Sequence, residues 1–271
     1  MKKNQACLLC SNQSFLRFNQ ENFRPGSFNK RINSPFSRPN YFYCANCKFH
    51  FYPGEENSQE YEKSAYQASL EEKYSAKTYF QLTKSLIKSE SKVLEVGSGG
   101  GQFLNLITAK EKIGIEPKRS ARKYAKEKFK LDLKANLSEV AGQKFDIILI
   151  FQTLEHLSSM EDFLSKIKTL MSKDSILVSI NHDSKSLLNN ILSKYSPIYD
   201  PLHFQIFSKD SMEPFANKYD LSLVSSKGFL NYYPLSYLTR LAGMNLKSRV
   251  LSKIKLPVPA GNRINIFRLK I

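Results

Sequence analysis

The stretch VLEVGSGGGQFL, Val93 to Leu104, is a short apolar run that breaks into glycines and then resumes a helix-like spacing. The same alternation continues from Lys92 onward. KVLEVG reads as a strand, GQFLNLITAKE as a helix, KIGIEP as a strand and KRSARKYAKEKF as a helix. LDLKAN reads as a weak strand, and FDIILIFQ as a strand buried on both faces. A helix over about 160–171, the strand SILVSIN and two closing strands, LSLVSSKGF and RINIFRLKI, complete the set. Strands alternating with helices predict a doubly wound, Rossmann-like α/β sheet whose ligands lie at the carboxyl ends of the strands.

The glycine loop narrows the ligand. A dinucleotide fingerprint needs G-x-G-x-x-G; Gly97 and Gly99 fit it, but the third position is Gln102 and the glycine comes one residue early, at Gly101. No Gly-Lys-Ser/Thr follows, so the loop is not a P-loop. Glu95, two residues before Gly97, is a poor neighbour for a pyrophosphate and a good one for a cation or for hydroxyls. Glu116 ends the next strand, where a carboxylate can take both ribose hydroxyls. A ligand with an ammonium group, a ribose and no phosphates meets these demands, and S-adenosylmethionine is such a ligand.

All four cysteines fall in two pairs near the start, Cys7-Leu-Leu-Cys10 and Cys44-Ala-Asn-Cys47. Two C-x-x-C turns supply the four thiolates of a closed, structural zinc ribbon. No βαβ pattern surrounds either pair, which argues against a thioredoxin-like redox motif. Between them lies a long stretch rich in Pro, Arg, Asn and aromatics without helical period, read as an extended loop hung on the metal. His50 is a spare ligand candidate, or an ordinary loop histidine if the cysteines suffice.

The sequence divides into a ribbon over 1–58, a helical linker over 59–91 and the α/β domain over 92–271. In the linker Tyr61, Ala65, Ala68, Tyr74, Tyr79, Phe80, Leu82 and Leu86 recur at helical spacings among charges, without Pro or Gly. Tyr61, Tyr66 or Tyr74 is a candidate lid, against the reading that the aromatic stripe is packing.

At 271 residues and 41% hydrophobic, the chain can build a real core. No apolar run approaches the ~20 residues that cross a bilayer, and the N-terminus MKKNQACLLCSNQ lacks the apolar stretch of a signal peptide. The expected compartment is the cytoplasm. The net charge of +17 fits a nucleic-acid partner, an anionic small-molecule substrate, or a Lys-rich composition spread over solvated faces. The basic residues are scattered rather than gathered in a stripe, which favours the last two.

VLEVGSGGGQFL, then GIEP, then FDIILIFQTLEHL together resemble a class I S-adenosylmethionine-dependent methyltransferase, over about Lys92 to Ile271. The resemblance implies a seven-stranded sheet with a reversed last strand. It also implies that Gly97, Ser98, Gly99 and Gly101 pass under the methionine part of the cofactor, that Glu116 holds its ribose, and that Asn136 and Leu137 contact its adenine. With their neighbours Glu95, Gln102, Pro117 and Gln152, these residues form the expected cofactor site. The cysteine-bearing front resembles the zinc-binding domain ahead of some sugar-modifying methyltransferases, among them C-methyltransferases of nucleotide deoxysugars.

Methyl transfer needs an acceptor held in line and, for most acceptors, a base. His156, in FQTLEH after the fourth strand, lies where quinone-pathway O-methyltransferases of the superfamily carry E-x-x-E-H; here the triplet is Gln152, Glu155 and His156. Glu155 and His156 are candidate catalytic groups, against the reading that they cap the next helix. His203, in IYDPLHFQIFS, resembles the second His of the deoxysugar enzymes' Y-H-E-H-x-x-Y-F-S segment, with Asp200 in place of a Tyr and Tyr199 adjacent. His182, after SILVSIN, is a third candidate. No N-P-P-Y or D-P-P-Y follows FDIILI, which argues against adenine or glutamine amino groups as acceptors.

The favoured expectation is methylation of a small anionic acceptor, a sugar or nucleotide-linked sugar, in glycan or natural-product assembly. The alternatives are an RNA methyltransferase whose ribbon binds RNA, and a non-catalytic zinc-ribbon interaction protein. Residues 232–260, apolar and basic with two late prolines, read as an amphipathic packing insert, with a dimer face, a membrane-surface helix and a substrate lid as alternatives.

Overall fold

The computed structural model describes residues 4–18, 40–53, 66–193, 196, 198–199, 202–241 and 249–270. The loop between the cysteine pairs over 19–39, Tyr61, Ala65, Asp200 and residues 242–248 lie outside them, as does the expected ribbon boundary at 58.

The N-terminal part is an antiparallel sheet of β1 (Asn4–Ala6), β2 (Gln13–Phe18), β3 (Tyr41–Cys44) and β4 (Phe49–Phe51). The two C-x-x-C turns close β1 to β2 and β3 to β4. Each is followed at once by a left-handed residue, Ser11 (φ 58°) and Lys48 (φ 55°), so the two knuckles share one backbone plan. Helix α1 (Leu70–Thr83) follows, started by a capping box in which Ser69 and Glu72 bond each other's backbone N–H. It is the linker helix that the aromatic spacing predicts.

The second sheet comprises β5 (Lys92–Val96), β6 (Glu111–Ile115), β7 (Phe145–Phe151) and β8 (Met171–His182), all parallel. Between them lie α2 (Arg119–Phe129) and α3 (Glu161–Thr169). A short helix α4 (Leu187–Leu192), the two-residue strand β9 (Gln205–Ile206) and α5 (Met212–Lys218) lead to β10 (Leu221–Pro234). Two further short helices, α6 (Leu235–Leu241) and α7 (Arg249–Lys253), precede β11 (Lys255–Leu269). The order across the sheet is β10-β11-β8-β7-β5-β6, with β11 antiparallel to both neighbours, the reversed last strand that the resemblance implies. Beyond β6 the expected weak strand is reduced to one parallel bridge, Ile115 to Lys134, which marks a seventh position. No described helix is long and apolar enough to cross a membrane.

One expectation is corrected. Residues 101–111 form no helix, only a 3-10 turn at Leu104–Leu106. Phe103, Leu104 and Ile107 all reach the core from that one turn, and the Lys112 ammonium satisfies the Leu104 and Ile107 carbonyls (2.8 and 3.0 Å) that a longer helix would have bonded. In the stretch read as a packing insert, 232–260, the pairing of β10 with β11 continues to Pro234 opposite Lys255, with the described short helices α6 and α7 between the two strands.

The two sheets are not separate bodies. β9 pairs with β4, His50 opposite Ile206 and Phe51 opposite Gln205, so the ribbon sheet takes its fifth strand from the α/β part. The ribbon's Phe42, Phe49 and Phe51 belong to one continuous buried cluster with Val96, Ile148, Ile150 and Phe215 of the second sheet and its helices. Phe207, fully buried, lies between them, its ring 5.4 Å from Phe49 and 5.6 Å from Phe215. Phe207→Ala should therefore cost about 3–5 kcal/mol of stability, read from denaturant midpoints. A loss below about 1 kcal/mol would mean that this junction is not part of the cooperative core.

Candidate functional site

The glycine loop runs from the end of β5 across the carboxyl edge of the sheet. Gly97, Gly99 and Gly101 all have positive φ (77°, 52° and 78°), and a Cβ on Gly97 would stand 2.1 Å from Thr153 Oγ1. The Gly97 and Ser98 N–H groups both donate to the Ile115 carbonyl (2.8 and 3.0 Å), which ties the loop to the end of β6. Glu116 follows there. Its Oε2 accepts the Gly99 N–H and its Oε1 the Lys118 N–H, both at 2.9 Å. The carboxylate is thereby oriented, with acceptor capacity left on each oxygen. Glu95 is buried beneath the loop, its Oε2 without a hydrogen-bond partner among the described residues. Burial, and then the neighbouring Glu116 charge, push its carboxyl well above the usual range. A buried acceptor without a donor under a glycine loop fits a ligand that brings an ammonium group.

Tyr66 closes the loop from the linker side. Its hydroxyl receives the Gly100 N–H (3.0 Å) and the Gln102 amide (2.6 Å), and donates to Glu72 (2.8 Å). Of the three candidate lid tyrosines, Tyr66 touches the loop. The Glu116 N–H bonds the Lys134 carbonyl (2.9 Å), bringing the segment with Asn136 and Leu137 alongside. The Asn136 side chain caps the 3-10 turn Leu137–Val140, and Pro117 is exposed.

A second group of predicted residues converges just past β7. The turn at Leu154–His156 carries Glu155, fully buried, whose oxygens accept the His182 N–H (2.8 Å) and the Asn181 amide (3.2 Å). The Glu155 carbonyl accepts the Phe204 N–H (2.8 Å), and the His156 ring bonds the Leu202 carbonyl through Nδ1 (2.9 Å). Three histidines meet as a result: the His203 ring is 4.7 Å from His156 and 5.3 Å from His182. His203 Nδ1 bonds the Ile198 carbonyl (2.8 Å), and His182 Nδ1 bonds Asn262 Oδ1 (2.9 Å). Every Nδ1 thus faces an oxygen acceptor, which assigns the proton there and leaves Nε2 as the basic nitrogen. Gln152, held at φ 49°, donates to the same Asn262 oxygen (3.3 Å). Neither Asn181 nor Asn262 stands out in the sequence. A buried asparagine becomes visible only when the strand pairing opposes Asn262 to His182.

The third group stands apart from both. The sulfurs of Cys7, Cys10, Cys44 and Cys47 all lie within 4.8 Å of one another, with separations of 3.4 Å (Cys7–Cys47), 3.5 Å (Cys10–Cys44) and 3.6 Å (Cys10–Cys47). None forms a disulfide. Tetrahedral Zn–S bonds of about 2.3 Å require sulfurs about 3.8 Å apart, so the cluster is compatible with a zinc ribbon. His50 is not part of it; it is a buried residue of β4, packed on Tyr43 and Tyr199. The cluster reaches the histidines indirectly, because the Tyr52 N–H bonds the Phe204 carbonyl (2.9 Å) and the Tyr41 hydroxyl bonds that of His203 (2.7 Å).

Burial pushes His182 down to about 4 and His203 down to about 3, so both are uncharged at neutral pH. Unfolded histidine titrates near 6.5. The stability that these two contribute is therefore full above about pH 6.5 and is lost as pH falls through their folded values. Glu155 has the opposite sense: burial raises it to about 7, so its contribution is present below about 4.3 and lost as pH rises through 7. His203→Gln should shrink the fall in urea midpoint on going from pH 7 to pH 5. Glu155→Gln should shrink the loss from pH 5 to pH 8. Slopes identical to wild type in both variants would contradict these assignments.

The methyltransferase-domain family model matches residues 66–226, more than half of the chain. No curated protein matches the sequence. Among solved structures, an S-adenosylmethionine-dependent methyltransferase from Anabaena variabilis aligns with a TM-score of 0.53 at 14% identity, covering 84% of this chain and 99% of its own. A chain of the complex between the Haloferax volcanii Trm112 methyltransferase activator and its methyltransferase aligns at 0.55 and 10% identity, covering 74% and 92%. A candidate methyltransferase from Bacillus halodurans aligns at 0.52 and 14% identity, covering 72% and 98%. These likenesses speak to the fold. With the glycine loop, the acid ending β6 and the reversed last strand, the family match makes this chain a member of the S-adenosylmethionine-dependent methyltransferases.

Proposed function

We propose that the protein transfers a methyl group to a hydroxyl of a small anionic acceptor, a sugar or nucleotide-linked sugar, in glycan or natural-product assembly in the cytoplasm. The observation that carries this reading is the meeting of three histidines, from three segments, just past β7 at the carboxyl edge of the sheet that bears the glycine loop, with burial holding His182 and His203 uncharged. When bound, S-adenosylmethionine supplies an electrophilic methyl on a sulfonium centre. The chain's own residues do the rest. Glu95 meets the ammonium group, Gly97, Ser98, Gly99, Gly101 and Gln102 let the backbone approach, Glu116 and Pro117 hold the ribose side, and Asn136 and Leu137 flank the base.

On the acceptor side, His203 is held too low to be a proton reservoir and serves as a hydrogen-bond acceptor for the hydroxyl. His156, beside it, takes the proton. Glu155 is a positioning residue: its carboxylate bonds the end of β8, its carbonyl bonds Phe204, and it fixes the turn from which His156 projects. Gln152 sets Asn262, which sets the His182 tautomer. We assign 1–58 to the zinc ribbon, 59–91 to the linker that carries helix α1, and 92–271 to the catalytic domain.

Calorimetric titration with S-adenosylhomocysteine tests the cofactor site. Wild type should bind in the micromolar range and Glu116→Ala at least about tenfold more weakly, since a bidentate charge-assisted contact is removed. No binding by folded protein would overturn the reading. Binding followed by methylation of RNA but of no sugar nucleotide would replace the acceptor class.

The metal has its own test. Elemental analysis should find one zinc per chain, lost on Cys47→Ser together with a drop in thermal stability, because removing one ligand opens a structural site. Metal-free wild type of unchanged stability would sink the zinc assignment.

A further inference from the structure

Beside the histidine cluster, at the carboxyl end of β8, lies a cleft of about 360 Å³ that the cofactor residues do not line. Three cations from three segments border it: Lys185 just after β8, Lys209 after β9, and Arg263 on β11. One buried acid organises all three. Asp183 Oδ1 accepts the backbone N–H groups of Lys185 (2.9 Å) and Lys209 (3.2 Å), and its Oδ2 accepts the Arg263 Nε–H (3.2 Å). Arg263 is held a second time by Ser226 (3.1 Å), which orders the guanidinium before any ligand arrives.

The charge count favours an anion. Asp183 is matched by Arg263, and Lys185 is paired with Asp210 at 2.7 Å in a half-exposed ion pair, of a kind worth about 0–1 kcal/mol and easily exchanged. Lys209 is exposed and leaves the cleft with one positive charge in excess of its carboxylates. Phe229 and Pro259 are among the other residues that line the cleft. The volume falls within the lower range of small-ligand pockets, about 300–1,000 Å³. Asn262 belongs to both places: it lines the cleft and holds the His182 ring. A molecule anchored in the cleft is therefore separated from the histidines by a single side chain.

We infer that this cleft takes the diphosphate of the acceptor, with Arg263 and Lys209 as its ligands and Lys185 joining when it exchanges Asp210. The inference rests on the small-molecule acceptor reading and makes it specific: the acceptor is a nucleoside diphosphate conjugate, held by its phosphates with its sugar extending past Asn262 to His203 and His156.

The test is calorimetric titration of the full-length protein with UDP and with inorganic pyrophosphate, at near-physiological salt so that the diffuse positive charge is screened. S-adenosylhomocysteine binding is measured on the same samples. Wild type should bind UDP. Lys209→Glu, a surface exchange with little burden on folding, should weaken UDP by at least about tenfold, with affinity for S-adenosylhomocysteine unchanged. Arg263→Lys keeps the charge but loses the fork, and should weaken pyrophosphate as well as UDP. Protein that binds S-adenosylhomocysteine but not UDP, or a Lys209→Glu variant that binds UDP as wild type does, would overturn the cleft while leaving the methyltransferase reading intact. Failure to bind S-adenosylhomocysteine would instead strike the reading on which it rests.

Discussion

The pairing of β4 with β9 is the contact on which the active-site geometry depends. Only two residue pairs make it, His50 with Ile206 and Phe51 with Gln205, yet it lies immediately after His203. His203 and Phe204 lie just before β9. They are held by what the ribbon offers from one side, the Tyr41 hydroxyl and the Tyr52 amide, and by what the turn after β7 offers from the other, the Glu155 carbonyl. His203 is thus pinned between a cysteine-bound sheet and the catalytic sheet. The four-cysteine cluster sits in the sheet that fixes the backbone against which the His203 imidazole is oriented.

The charges along the carboxyl edge fall into two groups, acids at the glycine loop and uncharged imidazoles past β7. Glu95 and Glu116 sit at the loop, where burial first and the Glu116 charge second push the Glu95 carboxyl well above its usual range. On the other side of Thr153, which separates the two regions by packing under Gly97, burial strips the charge from His182 and His203. A site divided in this way suits the proposed pairing of a cationic cofactor with a hydroxyl acceptor. A net charge of +17 adds a long-range field that favours anions near the surface.

Much of this was legible before the structure. Order and spacing in VLEVGSGGGQFL, GIEP and FDIILIF identify β5, β6 and β7, because buried parallel strands leave uninterrupted apolar runs and the loop between them needs glycines at positive φ. The two C-x-x-C pairs were equally plain, since the motif is local. What escaped was non-local. The helix expected over 101–111 is a single turn because one lysine, Lys112, captures its carbonyls. Asn181 and Asn262 take their meaning from strands that meet across the sheet, and the far end of the β10–β11 pairing is hidden because its strands carry prolines and lysines rather than an alternating pattern. His203 could be suspected from resemblance, but its neighbours could not, because they come from segments about 20 and 50 residues away along the chain.

The fifth strand of the ribbon also has a consequence for how the chain is made. Synthesis delivers β1 to β4 first, and the cysteine cluster can close as soon as Cys47 has left the ribosome. Its outer strand, Phe-His-Phe, then waits for Gln205 and Ile206, with an unpaired backbone edge and two large aromatic rings uncovered. Exposed edges of that kind template pairing with other chains. The nascent ribbon is consequently the segment of this protein most dependent on speed of elongation, or on a chaperone, for the interval until its own chain supplies the missing strand.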